Sequence, residues 1–149
     1  MKTRGFTLVE IMIVVGIIAL LAAIAIPNLL RARLGANESS AIATVKALAA
    51  SQEIYRVGQP QPEFSADLAT LTQATPPYIS GFKNGNEKTG YVFTVVGDAT
   101  SYEAVGNPLI RGTTGNRSFC VDATGIIHTQ DTDYTAVAGG ATCEGTVLQ

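Results

Sequence analysis

The distribution of apolar residues divides the chain before any other property is considered. Between Glu10 and Arg31 lie twenty consecutive uncharged residues, IMIVVGIIALLAAIAIPNLL, of which all but Gly16, Pro27 and Asn28 are apolar. A helix of that length rises about 30 Å, the thickness of the hydrocarbon core of a bilayer, so residues 11–30 are long enough to span one. Beyond Asn28 the helical signal continues in a different form. Ile42, Val45, Leu48 and Tyr55 share one face, Glu38, Lys46, Glu53 and Arg56 lie mostly elsewhere, and alanines at 41, 43, 47, 49 and 50 favour helix. Gly58, backed by Pro60 and Pro62, ends the pattern. The reading is one helix from near Phe6 to Val57, roughly 75–80 Å long, with a kink or locally melted turn at Pro27. Its first half is hydrophobic all round and needs lipid or other helices, whereas its amphipathic second half needs a head domain. A cleaved secretory signal is the competing reading, since Lys2 and Arg4 make a basic start and Ala23-Ile24-Ala25 is a small-x-small site. The apolar run exceeds the usual ~7–15-residue signal core, and Glu10 stands near its N-terminal edge, which favours a retained helix.

From residue 58 onward the pattern changes again. Residues 58–90 carry Pro60, Pro62, Pro76 and Pro77 and read as a long connection with one short helix, Ser65 to Gln73, capped by Ser65. Eleven of the fifteen glycines lie from Gly81 onward, so this region is turn-rich. Four β-patterned runs occur within it: Tyr91–Val96, Tyr102–Val105, Ser118–Asp122 and Gly125–His128. With turns at Gly97-Asp98 and Ala123-Thr124-Gly125 they predict a four-stranded antiparallel sheet, one face of which packs on the amphipathic half of the long helix. Segregation of the helix from the strands makes the fold class α+β. The expected division is residues 1–5 ahead of the helix, 6–30 as its apolar part, 31–57 as its amphipathic part and 58–149 as the head.

Composition narrows the chemistry. The 149 residues average 46% hydrophobic, but without the apolar block the remainder is only about 40% apolar, on the polar side for a small domain. Ten Lys+Arg against twelve Asp+Glu, with no basic run, argue against a nucleic-acid binder. Two cysteines support neither a disulfide-rich scaffold nor a four-ligand zinc site, and the single histidine, His128, supplies little general-base or metal chemistry. Asp131 and Asp133 are two carboxylates without the glycine-centred loop of a calcium site and read as turn residues. Gly112-Thr113-Thr114-Gly115 lacks the lysine of a phosphate loop and reads as a turn, while Asn37-Glu38-Ser39 and Asn116-Arg117-Ser118 match the short glycosylation triplet. No enzymatic activity, cofactor or metal is expected.

The segment Gly5-Phe6-Thr7-Leu8-Val9-Glu10, followed directly by the apolar run, resembles the N-terminal signature of type IV pilins and the related pseudopilins. The resemblance covers residues 1–57 well and the rest in outline. It implies that a prepilin peptidase cuts between Gly5 and Phe6, releasing a leader of residues 1–5, and that the new N-terminus at Phe6 is methylated. It also implies a role for Glu10. A carboxylate at the edge of a membrane-length helix is costly unless paired, and the implied partner is the Phe6 amine of a neighbouring copy, whose charge methylation preserves. The alternative is an interfacial acid that reaches water.

Partners implied are the peptidase, other copies of the chain, minor pilins, inner-membrane assembly machinery and the inner membrane before assembly, with no specific nucleic acid. Loss of Lys2 and Arg4 leaves 8 cations against 12 anions, moving the net charge from -2 to -4. Those two cations and the Met1 amine give a slight bias for a cytoplasmic N-terminus, against Arg31 and Arg33 on the other side, which puts the head outside the cytoplasm. In such a compartment a disulfide between Cys120 and Cys143 is the simplest use of two cysteines, and the family often staples a C-terminal loop in this way; two buried free thiols are the alternative. The function implied is that of a structural pilus subunit, with a type II secretion pseudopilin and a protein released by signal peptidase near Ala25 as the competing readings.

Overall fold

The computed structural model describes residues 6–137 and 143–148. Its contacts divide the chain into two compact units, residues 1–33 and 34–149.

In the first unit the backbone enters helix α1 (Leu8–Gly58) just after Thr7. The helix is apolar enough to cross a membrane, with a mean hydropathy of 2.9 over its most apolar stretch, none of which is buried within the chain. Pro27 lies inside α1, which continues through it, so of the kink or locally melted turn expected from the sequence the melted turn does not form. Proline removes a single N–H, and the i→i−4 bonds of its neighbours carry the helix past it in a segment otherwise rich in Ala, Ile and Leu.

In the second unit, residues 34–58 of α1 lay a buried stripe of Ala41, Thr44, Val45, Leu48, Ser51 and Gln52 on the sheet. Val45 and Leu48 occupy the places expected of them, whereas Ile42 and Tyr55 are only partly buried flanks. The stripe centres on small residues because these let the helix approach closely. Their hydroxyls are satisfied locally, Thr44 Oγ1 donating to the Ser40 carbonyl at 2.8 Å and Ser51 Oγ to the Ala47 carbonyl at 2.7 Å.

Gln52, fully buried, replaces a strand neighbour for the connecting segment. Its Nε2 donates to the Ser65 carbonyl at 3.1 Å while its Oε1 accepts from the Ser65 N–H at 2.8 Å. Ser65 is therefore occupied, and the cap of α2 (Leu68–Gln73) is Asp67, whose Oδ1 accepts from the Thr70 N–H at 2.7 Å. The helix is thus shorter than the Ser65–Gln73 span expected, because the hydroxyl proposed as its cap donates instead to the Asp67 carbonyl.

The sheet has six strands where the sequence pattern predicts four: β1 (Glu87–Lys88), β2 (Tyr91–Gly97), β3 (Tyr102–Pro108), β4 (Ser118–Asp122), β5 (Ile127–Gln130) and β6 (Thr146–Val147). They form an antiparallel meander in chain order. The two additional strands are edge pairs of two residues each, too short to carry an alternation. Tyr91 is registered with Pro108 and Gly97 with Tyr102, so β3 runs three residues beyond its expected end.

Tyr91, Phe93, Val95, Tyr102, Ala104, Phe119 and Val121 form the core with the helix. Gly106 belongs to this face, where a Cβ would lie 2.8 Å from the Phe93 ring and 3.4 Å from Val45. The opposite face is covered as well. Val105 and Cys120 pack there with Cys143, Tyr134 and Ala136, which explains why every residue of β4 is buried. The α+β class and the C-terminal disulfide loop expected from the sequence are both present, with Cys120 and Cys143 bonded and their Cα atoms 5.7 Å apart.

Candidate functional site

The residues that carry the N-terminal signature meet the structure at its first described position. Gly5, and with it the leader 1–5, lies outside the described residues. Phe6 is 86% exposed ahead of the helix. Thr7 caps α1 and pairs reciprocally with Glu10: the Thr7 N–H and hydroxyl each donate to Glu10 Oε2 at 2.8 Å, and the Glu10 N–H donates to Thr7 Oγ1 at 3.3 Å. This is a capping box, which satisfies backbone N–H groups that a helix start otherwise leaves without partners. Its signal, Thr7-x-x-Glu10, is present in the sequence, but the sequence reading treats Glu10 either as an acid awaiting another chain or as an interfacial acid reaching water, not as part of a cap. Among the described residues no hydrogen bond reaches Glu10 Oε1, so one carboxylate oxygen holds the helix start while the other is available to an incoming cation.

The remainder of the apolar segment offers no chemistry beyond its surface. Ile, Leu and Val side chains from Leu8 to Leu30 are exposed all round the helix, a surface that water does not tolerate at this extent. Lipid or further helices must cover it.

The second unit is fastened to its helix by a polar clasp that the sequence reading missed. Glu38 Oε2 accepts from Arg117 Nη2 at 2.8 Å and Nε at 3.0 Å, and Oε1 accepts from the backbone N–H groups of Asn116 at 2.9 Å and Arg117 at 3.3 Å. Partial burial pushes the Glu38 carboxyl up, but these donors outweigh it and hold the group below its ordinary value. Beside it, Asn37 Nδ2 donates to the Thr114 carbonyl at 2.9 Å. Tyr91 completes the cluster from below, its hydroxyl donating to the Arg117 carbonyl at 2.8 Å. Burial first, and the Glu38 charge second, push that phenol up to about 12. No local pattern marks this pairing, because 79 positions separate Glu38 from Arg117.

The weaker candidates resolve into structural parts. Gly112 to Gly115 is a turn closed by the Gly112 N–H on the Gly115 carbonyl, as its sequence suggests. Asp133 is engaged by the Arg111 guanidinium, which also donates to Ser118 Oγ and the Asn116 carbonyl. A cation of the protein thus sits where a bound metal would compete for Asp133. His128 lies on β5 with Nδ1 3.3 Å from the Gly145 carbonyl. The C-terminal segment is held by the disulfide and by Asp122, whose Oδ2 accepts the Cys143 N–H at 3.1 Å.

Residues 1–26 match the family model of the prokaryotic N-terminal methylation motif. The chain is 48% identical over 56 residues to a type IV wide pilus major component of Thermus thermophilus, covering 38% of this chain and 43% of that protein. It is also 48% identical over 54 residues to a type IV major pilin of Myxococcus xanthus, covering 36% of this chain and 24% of the other. Over its N-terminal part the chain is similar to type IV pilins. A third relative, a type II secretion system core protein G of Escherichia coli, is 33% identical over 94 residues, 61% of this chain and 62% of that protein. The matches span less than two thirds of each of these relatives, and they fall on both branches of the pilin family. The family resemblance read from Gly5 to Glu10 is therefore correct, and the relatives named are structural components of pili and secretion systems.

Proposed function

We propose that this chain is a structural subunit of a type IV pilus. In this reading the prepilin peptidase cuts between Gly5 and Phe6, Phe6 is N-methylated, and the head lies outside the cytoplasm while α1 waits in the inner membrane. Assembly machinery then moves the subunit into a helical filament with other copies and minor pilins. The observation that carries the proposal is the wholly exposed apolar half of α1, which begins directly behind Phe6 and carries one acid, Glu10, in its first turn. Lipid covers that surface before assembly and neighbouring helices cover it afterwards. In a dry helical core the free oxygen of Glu10 can then accept from the Phe6 amine of another copy, which fixes the axial register.

A type II secretion pseudopilin is the second reading, supported by the 94-residue similarity to a core protein G. The pilus reading is preferred because Arg111 fills the neighbourhood of Asp133, where a calcium loop would need free carboxylates, and because a disulfide holds the C-terminal segment.

Mass spectrometry of the mature chain tests the processing step. An N-methylated Phe6 terminus is expected, whereas a terminus at Ile26 would mean release by signal peptidase and would overturn the proposal. Shearing the cells then separates the two assembly readings: recovery of the chain in released fibres supports the pilus, and its restriction to the periplasm supports the pseudopilus.

A further inference from the structure

The head contains a cluster that the filament reading does not use. Glu103 on β3 and Cys120 on β4, both pointing to the sheet face away from the helix, meet Cys143 from the C-terminal segment, and their carboxylate and sulfur atoms all lie within 4.8 Å of one another. All three residues are buried, Glu103 being only 5% exposed. A carboxylate does not enter such a place for packing, because its charge loses hydration there. Among the described residues its Oε2 accepts the Val137 N–H at 2.9 Å. A cavity of about 200 Å³ adjoins the trio, and Glu144 and Asp133 also contribute to its wall. The two sulfurs are joined in the disulfide here; as thiolates, together with the carboxylate oxygen and room for a water or a further carboxylate, they make the donor set of a tetrahedral site for a soft or borderline divalent cation.

We infer that before the disulfide closes, Cys120, Cys143 and Glu103 form a binding site for a thiophilic divalent cation such as Zn²⁺. The newly made chain carries both cysteines as thiols, so no reductant is required. On binding, the two thiols release two protons and the thiolates and the Glu103 carboxylate take three coordination positions. The cation and the disulfide are mutually exclusive, since the cation is held by thiolates and the two-electron oxidation that joins the sulfurs removes their negative charge. Metal capture therefore holds the thiols back from oxidation until a thiol oxidant outcompetes it, and only the oxidised head keeps the C-terminal segment locked.

The test uses the full chain in detergent micelles, reduced with a phosphine and titrated with Cd²⁺ as a spectroscopic substitute for Zn²⁺. One equivalent is expected to raise the ultraviolet thiolate-to-metal charge-transfer band, with two protons released. Cys120→Ser and Cys143→Ser abolish the one-equivalent band. Glu103→Gln keeps the volume and can still accept the Val137 N–H, and it is expected to weaken binding by about tenfold or more, the scale of metal-site polar substitutions. Zn²⁺ should slow diamide oxidation of the reduced wild type and have less effect on Glu103→Gln. Absence of the band in the reduced wild type overturns the proposal, and so does equal affinity in wild type and Glu103→Gln, since that would mean two thiolates acting without the carboxylate. Circular dichroism of the reduced chain accompanies the titration, and binding that persists only in an unfolded chain counts against the site.

Discussion

Glu38→Gln is the sharpest test of how the head holds the amphipathic half of α1. The substitution keeps the side chain's shape and one acceptor but removes the charge that receives Arg117 Nη2 at 2.8 Å, Nε at 3.0 Å and the Asn116 N–H at 2.9 Å. Hydrogen bonds to a charged group contribute about 1.5–3 kcal/mol, against about 1 kcal/mol for neutral ones. The Glu38 side chain is 12% exposed but Arg117 is 42% exposed, so water recovers part of the guanidinium's loss and the upper end of that range is discounted. The expected cost is about 2 kcal/mol, which for a domain of this size lowers the melting temperature by about 8 °C.

Denaturation of the full chain in micelles, followed by the near-ultraviolet signal of the buried tyrosines, measures the loss. The folded-state carboxyl lies below its ordinary value of 4.5, so the stability it contributes is complete above that value and is lost as the pH falls through the lowered one. Wild type and Glu38→Gln must therefore converge in acid. A difference below about 0.5 kcal/mol at neutral pH, or one that does not shrink in acid, would refute the clasp. A double-mutant cycle with Arg117→Ala should also return a coupling of about 1 kcal/mol.

Three further outcomes follow from the same geometry. Replacing Cys120 or Cys143 with serine opens a link across 23 positions and should cost about 3 kcal/mol by chain entropy, with proteolysis appearing first in the C-terminal segment; an unchanged cleavage pattern would contradict that segment's dependence on the bond. Leu48→Ala, at a fully buried helix position, should cost about 3 kcal/mol in thermal unfolding, whereas Val57→Ala at the exposed helix end should stay within about 0.5 kcal/mol. Pro27→Ala restores the backbone donor that α1 lacks at that position; hydrogen exchange in micelles should slow around residues 24–31, and unchanged exchange would mean that Pro27 leaves the helix unperturbed.

The comparison of pattern with structure divides according to the range of the forces involved. The apolar run from Ile11 to Leu30, the alanine-rich amphipathic continuation and the stop at Gly58 are local, and a helix is dictated by neighbours within four residues. The central strands are legible for the same reason, since Tyr91–Val96 and Ser118–Asp122 carry β-branched and aromatic residues between turn signals. The signature from Gly5 to Glu10 is likewise local, which is why the resemblance could be read from it.

What the chain alone did not disclose depends on partners far away in sequence. Ser65 is a plausible cap until Gln52 claims its backbone, and two-residue edge strands exist only because β2 and β5 supply a ladder for them. The burial of Glu103 requires the C-terminal segment to fold back over β3, and the Glu38–Arg117 clasp requires the turn after β3 to reach α1. The sequence by itself determined the helix, its apolar and amphipathic halves and the resemblance to the pilins. The tertiary structure decided which polar residues are structural, because hydrogen bonds and ion pairs act over a few ångströms in space and have no period along the chain.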